Sequence, residues 1–118
     1  MLQVYLLFLH FIADFLVQTR WQAQNKSSSV IALGIHIFTY AMTMLFGMLF
    51  TVLYVGIINT LLFVLLNSAA HFITDYYTSR SAKYYYIAGK EHKFWAVIGL
   101  DQFLHTATIL LTLRLLGF

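Results

Sequence analysis

The sequence predicts an all-α polytopic membrane protein, with four transmembrane helices packed as a small bundle in a single domain over residues 1–118. Three observations carry that prediction. The chain is 61% hydrophobic and only 9% charged, with a mean hydropathy of +0.79, more apolar than a soluble core of this size needs. Its apolar runs approach the roughly 20 residues that span a bilayer core, and no proline interrupts them. Each of its three aspartates lies four residues from a histidine inside such a run: His10 with Asp14, His71 with Asp75, and Asp101 with His105. A spacing of four puts both side chains on one helix face.

The first run, residues 2–18, is short and carries two ionisable residues. It has no basic leader and no small-residue cleavage site, so it reads as a mature segment rather than a cleaved signal. The second, residues 30–50, and the third, residues 51–77, follow without any charge between Lys26 and His71. One unbroken helix there would far exceed the bilayer, so a tight turn is expected within residues 47–56. Residues 81–93, basic and tyrosine-rich, read as a short interfacial helix. The last run covers residues 94–116. Zero cysteine excludes disulfides and thiolate ligands.

Basic residues orient the bundle. Arg20 and Lys26 follow the first helix, and Arg80, Lys83, Lys90 and Lys93 lie between the third and fourth; only Arg114 lies toward the other face. The positive-inside rule places these loops in the cytoplasm and both termini outside, in a multi-pass protein of the cytoplasmic (inner) membrane. Trp21, the tyrosines from Tyr76 to Tyr86 and Trp95 suit an aromatic belt at that interface.

With that orientation the pairs share a depth. The first and third helices run toward the cytoplasm and read His then Asp; the fourth runs away and reads Asp then His. Every aspartate therefore lies about 5.4 Å, one turn, nearer the cytoplasm than its histidine. His36, about six residues into the second helix, falls near the histidine layer. Ionisable groups in a membrane are costly and mark functional sites. The four histidines, His10, His36, His71 and His105, are candidate ligands of a divalent metal (zinc, manganese or iron), and Asp14, Asp75 and Asp101 are candidate catalytic bases or partners that orient the histidines. One metal or two would be compatible with seven such groups. The competing reading is structural, with His and Asp simply hydrogen-bonding across helices.

Other polar residues extend the stripe. Gln18 continues the face of His10 and Asp14, and Gln102 adjoins Asp101 but is rotated by about 100°. With Lys26 and Arg80 they are the candidates to bind substrate. Asn67, four before His71, reads as a helix-packing hydrogen bonder.

The segment His10-Phe-Ile-Ala-Asp14-Phe15-Leu-Val-Gln18 with Asn25-Lys26, then His71-x-x-x-Asp75 and Asp101-Gln102-x-x-His105, resembles the signatures of the domain-of-unknown-function 3307 family of small bacterial and phage integral membrane proteins. The resemblance spans nearly the whole chain. It implies a helical membrane protein and no particular activity. A looser similarity connects the His and Asp residues in apolar helices to membrane-bound hydrolases thought to be metal-dependent.

The leading functional expectation is a metal-dependent hydrolase acting on a lipid or lipid-linked substrate at the cytoplasmic interface, with the basic loops holding an anionic head group. One alternative is a non-enzymatic interaction protein, such as a phage factor that modulates a host membrane complex. Another is a proton or metal-ion conduit, against which the polar-poor outer half argues. The expected partners are the lipid bilayer and an anionic lipid, with self-association and no nucleic acid.

Overall fold

Many polar side chains face inward and many large apolar ones outward in this chain, whose computed structural model describes residues 1–118. Of its 26 buried residues, 11 are polar or charged, whereas Phe38, Phe50, Leu53, Leu65 and Leu111 are exposed. In water that pattern would be ruinous; against lipid tails it is the stable one.

The chain is all α-helical. Helix α1 (Leu2–Phe11) runs into a π-helical turn (Ile12–Leu16), then come α2 (Arg20–Asn25), α3 (Val30–Met48), α4 (Val52–Val55), α5 (Ile57–Ile87) and α6 (Glu91–Leu115). Three helices, α3, α5 and α6, are long and apolar enough to cross a membrane, rather than the four expected. Their 19, 31 and 25 residues correspond to about 28, 46 and 38 Å, against a hydrocarbon core of roughly 30 Å. The first apolar segment, Leu2–Leu16, reaches only about 23 Å. It falls short because the chain leaves the helix after Leu16 to start α2.

Two boundaries differ from expectation for local reasons. Nothing between Ile57 and Ile87 breaks a helix, so α5 passes Tyr77 and absorbs most of the expected interfacial helix. It stops where Gly89 takes φ +68° and turns the chain into α6, a conformation that glycine adopts without penalty. The turn between α3 and α5 is also more elaborate than a tight reversal, because it contains α4.

Helix α2 was not anticipated, although its capping box is a local signal. The Gln22 backbone N–H donates to Thr19 Oγ1 (3.2 Å) and the Thr19 N–H to Gln22 Oε1 (3.0 Å), satisfying two otherwise unpaired donors. The Gln22 amide also donates to Thr39 Oγ1 of α3 (3.1 Å). Ser29 caps α3 by accepting from the Ala32 N–H. These bonds fix the short loop that carries Lys26.

The apolar half of the bundle joins Leu6 and Leu9 of α1 to Met44 and Met48 of α3, Phe63 of α5, and Ile109 and Leu113 of α6. Here α1 and α3 meet at Gly47. Tyr5 donates its hydroxyl proton to the Gly47 carbonyl (2.7 Å), and the Leu9 side chain fills the space that a Cβ on Gly47 would need. Close backbone approach through a small residue is a common way for membrane helices to pack.

Candidate metal centre

The polar half begins with the π-helical turn. There the Val17 N–H donates to the Ile12 carbonyl five residues back (2.9 Å). A π turn widens the helix and redirects a side chain, and such turns occur often at functional sites. Asp14 lies inside it. Its Oδ2 stays 3.9 Å from His10 Nε2, while its Oδ1 reaches His36 Nε2 of α3 at 3.1 Å and His71 Nε2 of α5 at 3.4 Å.

Four atoms from three parts of the chain converge: Asp14 Oδ1, His36 Nε2, His71 Nε2 and Asp75 Oδ2. The two imidazole nitrogens are 3.2 Å apart, and Asp75 Oδ2 is 3.4 Å from His36 and 3.5 Å from His71. All four atoms lie within 4.8 Å of one another. With ligand bonds of about 2.0–2.1 Å, a tetrahedral site has edges of roughly 3.3–3.4 Å. Five edges here measure 3.1 to 3.5 Å. Asp14 Oδ1, although buried, accepts no hydrogen bond. This buried Asp/His cluster could hold a metal ion.

The Nδ1 atoms of His36 and His71 have no hydrogen-bond partner, whereas a ligand imidazole usually donates from its second nitrogen. For His71, ring packing supplies the orientation instead. Tyr40 lies 4.2 Å from His71, centroid to centroid, and His105 stacks on the same ring at 3.9 Å.

Asp75 and its neighbours continue the cluster into α6. His105 Nε2 lies 3.0 Å from Asp75 Oδ1 and 3.4 Å from Asp101 Oδ2. Thr78 donates its hydroxyl proton to Asp101 Oδ1. The Gln102 amide nitrogen donates to Asp101 Oδ2 (3.0 Å) and Asp14 Oδ2 (3.3 Å). Lys26 reaches in from its loop, with Nζ 2.7 Å from Asp75 Oδ2. Burial opposes the Lys26 charge, but the Asp75 and Asp14 carboxylates outweigh it and hold the ammonium above the ordinary lysine range. Three carboxylates thus face one ammonium, and the two charges left over match one divalent cation.

A cavity of about 60 Å³ lies beside these groups, lined by Lys26, Asp75, Thr78, Ser79, Ile98 and Asp101. Across Lys26, Ser79 and Ile98 it adjoins an open groove of about 510 Å³ that also carries Ser27, Lys83 and Tyr86. A larger cavity, about 530 Å³ around Tyr5, Phe50 and Phe118, contains no residue of the cluster.

The seven residues of the expected histidine and aspartate layers all come together. All are buried except Asp101, whose side chain is 14% exposed. The four-atom set draws on both layers, two histidines and two aspartates, and leaves His10, His105 and Asp101 outside it. Lys26 and Gln102 join the cluster by bonding its carboxylates, Gln102 because its long side chain curls back over the expected rotation. Gln18 instead donates to the Asp14 backbone carbonyl (3.0 Å). Arg80 turns onto the Tyr76 ring, 3.8 Å from its centroid, and bonds the Tyr76 carbonyl, so its guanidinium is engaged locally. Tyr40 and Thr78 had not been singled out. Tyr40 was within reach, since it follows His36 by four; nothing local marks Thr78.

The chain belongs to the family described as "Protein of unknown function (DUF3307)", which it matches over residues 2–117. No curated protein and no solved structure matches it.

Proposed function

We propose that this protein is a membrane-embedded, metal-dependent hydrolase of phosphate-bearing amphiphiles, with Asp14, His36, His71 and Asp75 as the metal ligands. The observation that carries this reading is the near-tetrahedral spacing of their four donor atoms. In the proposed arrangement α3, α5 and α6 cross the cytoplasmic membrane. The segment Leu2–Leu16 inserts beside them as a fourth, shorter membrane helix, and the basic loops face the cytoplasm.

Access supports hydrolysis over a sealed structural site. The small cavity touches Asp75 and Asp101, and the adjoining groove has lysines at both Lys26 and Lys83. An anionic head group would pair with these lysines while its chains lie along apolar residues such as Phe94 and Ile98, which also line the groove. A divalent ion at the site supplies Lewis acidity and ionises water near neutral pH. Asp101, outside this four-atom set and beside the cavity, takes the proton on its carboxylate oxygen Oδ1 as the water oxygen bonds to phosphorus. That proton then passes to the alkoxide released when the phosphorus–oxygen ester bond breaks. Lys26 moves from Asp75 to the phosphate.

The geometry favours this over a conduit, because the other half of the bundle is closed by Leu6, Met44, Phe63 and Leu113. A purely structural network finds support in the direct His36–His71 and Lys26–Asp75 contacts, and one experiment separates the two readings. Protein purified in detergent without added metal should retain at least one transition metal per chain. It should release phosphate or alcohol from micellar phospholipid or prenyl phosphate, and His36→Ala should abolish both. A folded wild-type protein that carries no metal and does not respond to zinc, manganese or iron would leave the structural network as the answer.

A further inference from the structure

We infer that the cluster holds a second divalent cation on its α6 side, held by Asp14, Asp101 and His105 and bridged to the first by the Asp14 carboxylate. This inference rests on the metal reading above. Asp14 and Asp75 each face two ways. Asp14 directs Oδ1 toward His36 and His71, and its Oδ2 lies 3.3 Å from Gln102 Nε2 and 3.9 Å from His10 Nε2. Asp75 directs Oδ2 toward the same histidines and Lys26, and Oδ1 toward His105 at 3.0 Å. While Asp75 Oδ1 orients His105, Asp14 Oδ2, not used at the first position, therefore lines a second one. His105 Nε2 and Asp101 Oδ2, 3.4 Å apart, complete it. Asp14, Asp101 and His105 offer donor atoms within 4.8 Å of one another.

His10 is the independent observation. Its residue is 4% exposed, yet neither ring nitrogen has a hydrogen-bond partner. It packs against His105, with centroids 5.2 Å apart. A buried imidazole with both nitrogens unpaired is anomalous in a helix bundle, where polar groups cannot turn to water. A cation held by Asp14, Asp101 and His105 would lie beside this ring, whose Nε2 is 3.9 Å from Asp14 Oδ2. It also gives ligand roles to inward-facing groups that the first metal leaves unused.

Gln102 occupies part of this space. Its amide hydrogens sit between Asp14 Oδ2 and Asp101 Oδ2, the one arrangement of a neutral side chain that imitates a cation between two carboxylates. Metal binding would turn the amide to present its oxygen or push it aside. Carboxylate-bridged pairs have metals about 3.5–4 Å apart, the spacing of hydrolytic two-metal sites. Two divalent ions and Lys26 against three aspartates leave two positive charges, which an attacking hydroxide and a phosphate ester would meet.

The test is metal stoichiometry on the detergent-purified full chain loaded with manganese and desalted, read by elemental analysis and electron paramagnetic resonance. Wild type should hold two ions with a spin-coupled signal. His10→Ala and Asp101→Asn should each hold one, with a mononuclear six-line signal, and His36→Ala should remove the other ion. Circular dichroism and gel filtration identify folded variants, and His10→Asn, polar and closer in size, serves if His10→Ala fails to fold. A single ion in wild type, unchanged by His10→Ala and Asp101→Asn but lost in His36→Ala, would overturn the second site and leave the proposed hydrolase intact. Wild type with no ion at any manganese concentration would overturn both.

Discussion

At one end of the bundle α1, α3, α5 and α6 meet through Leu6, Met44, Met48, Phe63, Ile109 and Leu113; at the other the same helices meet through three aspartates, four histidines and a lysine. The first end is held by dispersion and by one close approach at Gly47. Lipid tails compete with it poorly, because its shape fit cannot be matched by fluid chains. The second places ionisable groups where each aspartate or lysine costs about 2.5–3.5 kcal/mol to insert. Polar contacts between membrane helices return about 0.6 kcal/mol on average. A bundle that needed only to stay folded would extend the apolar half. The contrast teaches that the polar half costs stability that the apolar half supplies, which is the expectation for a half kept for binding.

The sharpest way to break that contrast is to remove charge from the polar end. Asp75→Asn takes away an oxygen that faces both histidines and Lys26 and adds no charge to the membrane. We expect metal content to fall below a tenth of wild type and activity to fall by more than about 100-fold, beyond the roughly 10 to 100-fold typical of outer partners. The protein should still insert and keep its helical content. Normal metal content in Asp75→Asn would place the ion elsewhere.

The apolar end should respond in the opposite way. Phe63→Ala leaves a cavity that neighbouring side chains refill only in part. It should lower unfolding free energy by about 3 kcal/mol, the low end of the range for soluble cores, because lipid is itself apolar. Metal per folded chain should not change. A Phe63→Ala protein that loses its metal while fully folded would mean that the two halves are one cooperative unit.

Much of this division could be read from the sequence, and the exceptions share a cause. The spacing of four and the reversed order in the last run bring His10, Asp14, His71, Asp75, Asp101 and His105 to one level because helical geometry alone sets that level. The π turn at Asp14 could not be read, since a single wide turn leaves no periodicity to detect. The first segment therefore looked like a fourth full span when it is a short helix ending in that turn. Lys26 and Asp75 are 49 residues apart, and only the folded α2–α3 connection brings them together. The capping box from Thr19 to Gln22 was legible as a local motif, yet a strong hydropathy signal on either side hid it.

Lys26 sharpens the comparison further, because it is the one ammonium at the polar end and enters it from a loop. Lys26→Met removes the ammonium beside Asp75 and leaves the carboxylates with more uncompensated charge. Metal should then bind several-fold more tightly, while KM for a phosphate-bearing substrate should rise about tenfold, the loss of roughly one charged hydrogen bond. Weaker metal binding in Lys26→Met would show that the lysine supports the metal ligands and does not compete for them.

Tyr40 stands on the border between the halves, so the smallest expected effects come from it and decide how separate the halves are. Its ring is 2% exposed and belongs to the apolar cluster. It also lies 4.2 Å from the His71 ring and 5.7 Å from that of His10. Tyr40→Phe keeps the face against His71, so stability and metal affinity should change by less than about 0.5 kcal/mol. Tyr40→Leu removes the aromatic face but keeps an apolar filling. The His71 ring, whose Nδ1 has no hydrogen bond to hold it, should then rotate more freely. Metal affinity should fall about tenfold, near the lower bound for loss of an orienting partner, and titration of the apo protein with zinc measures it. Equal affinity for Tyr40→Leu and wild type would show that His105 stacking alone fixes His71, and the border would then lie one layer nearer the carboxylates.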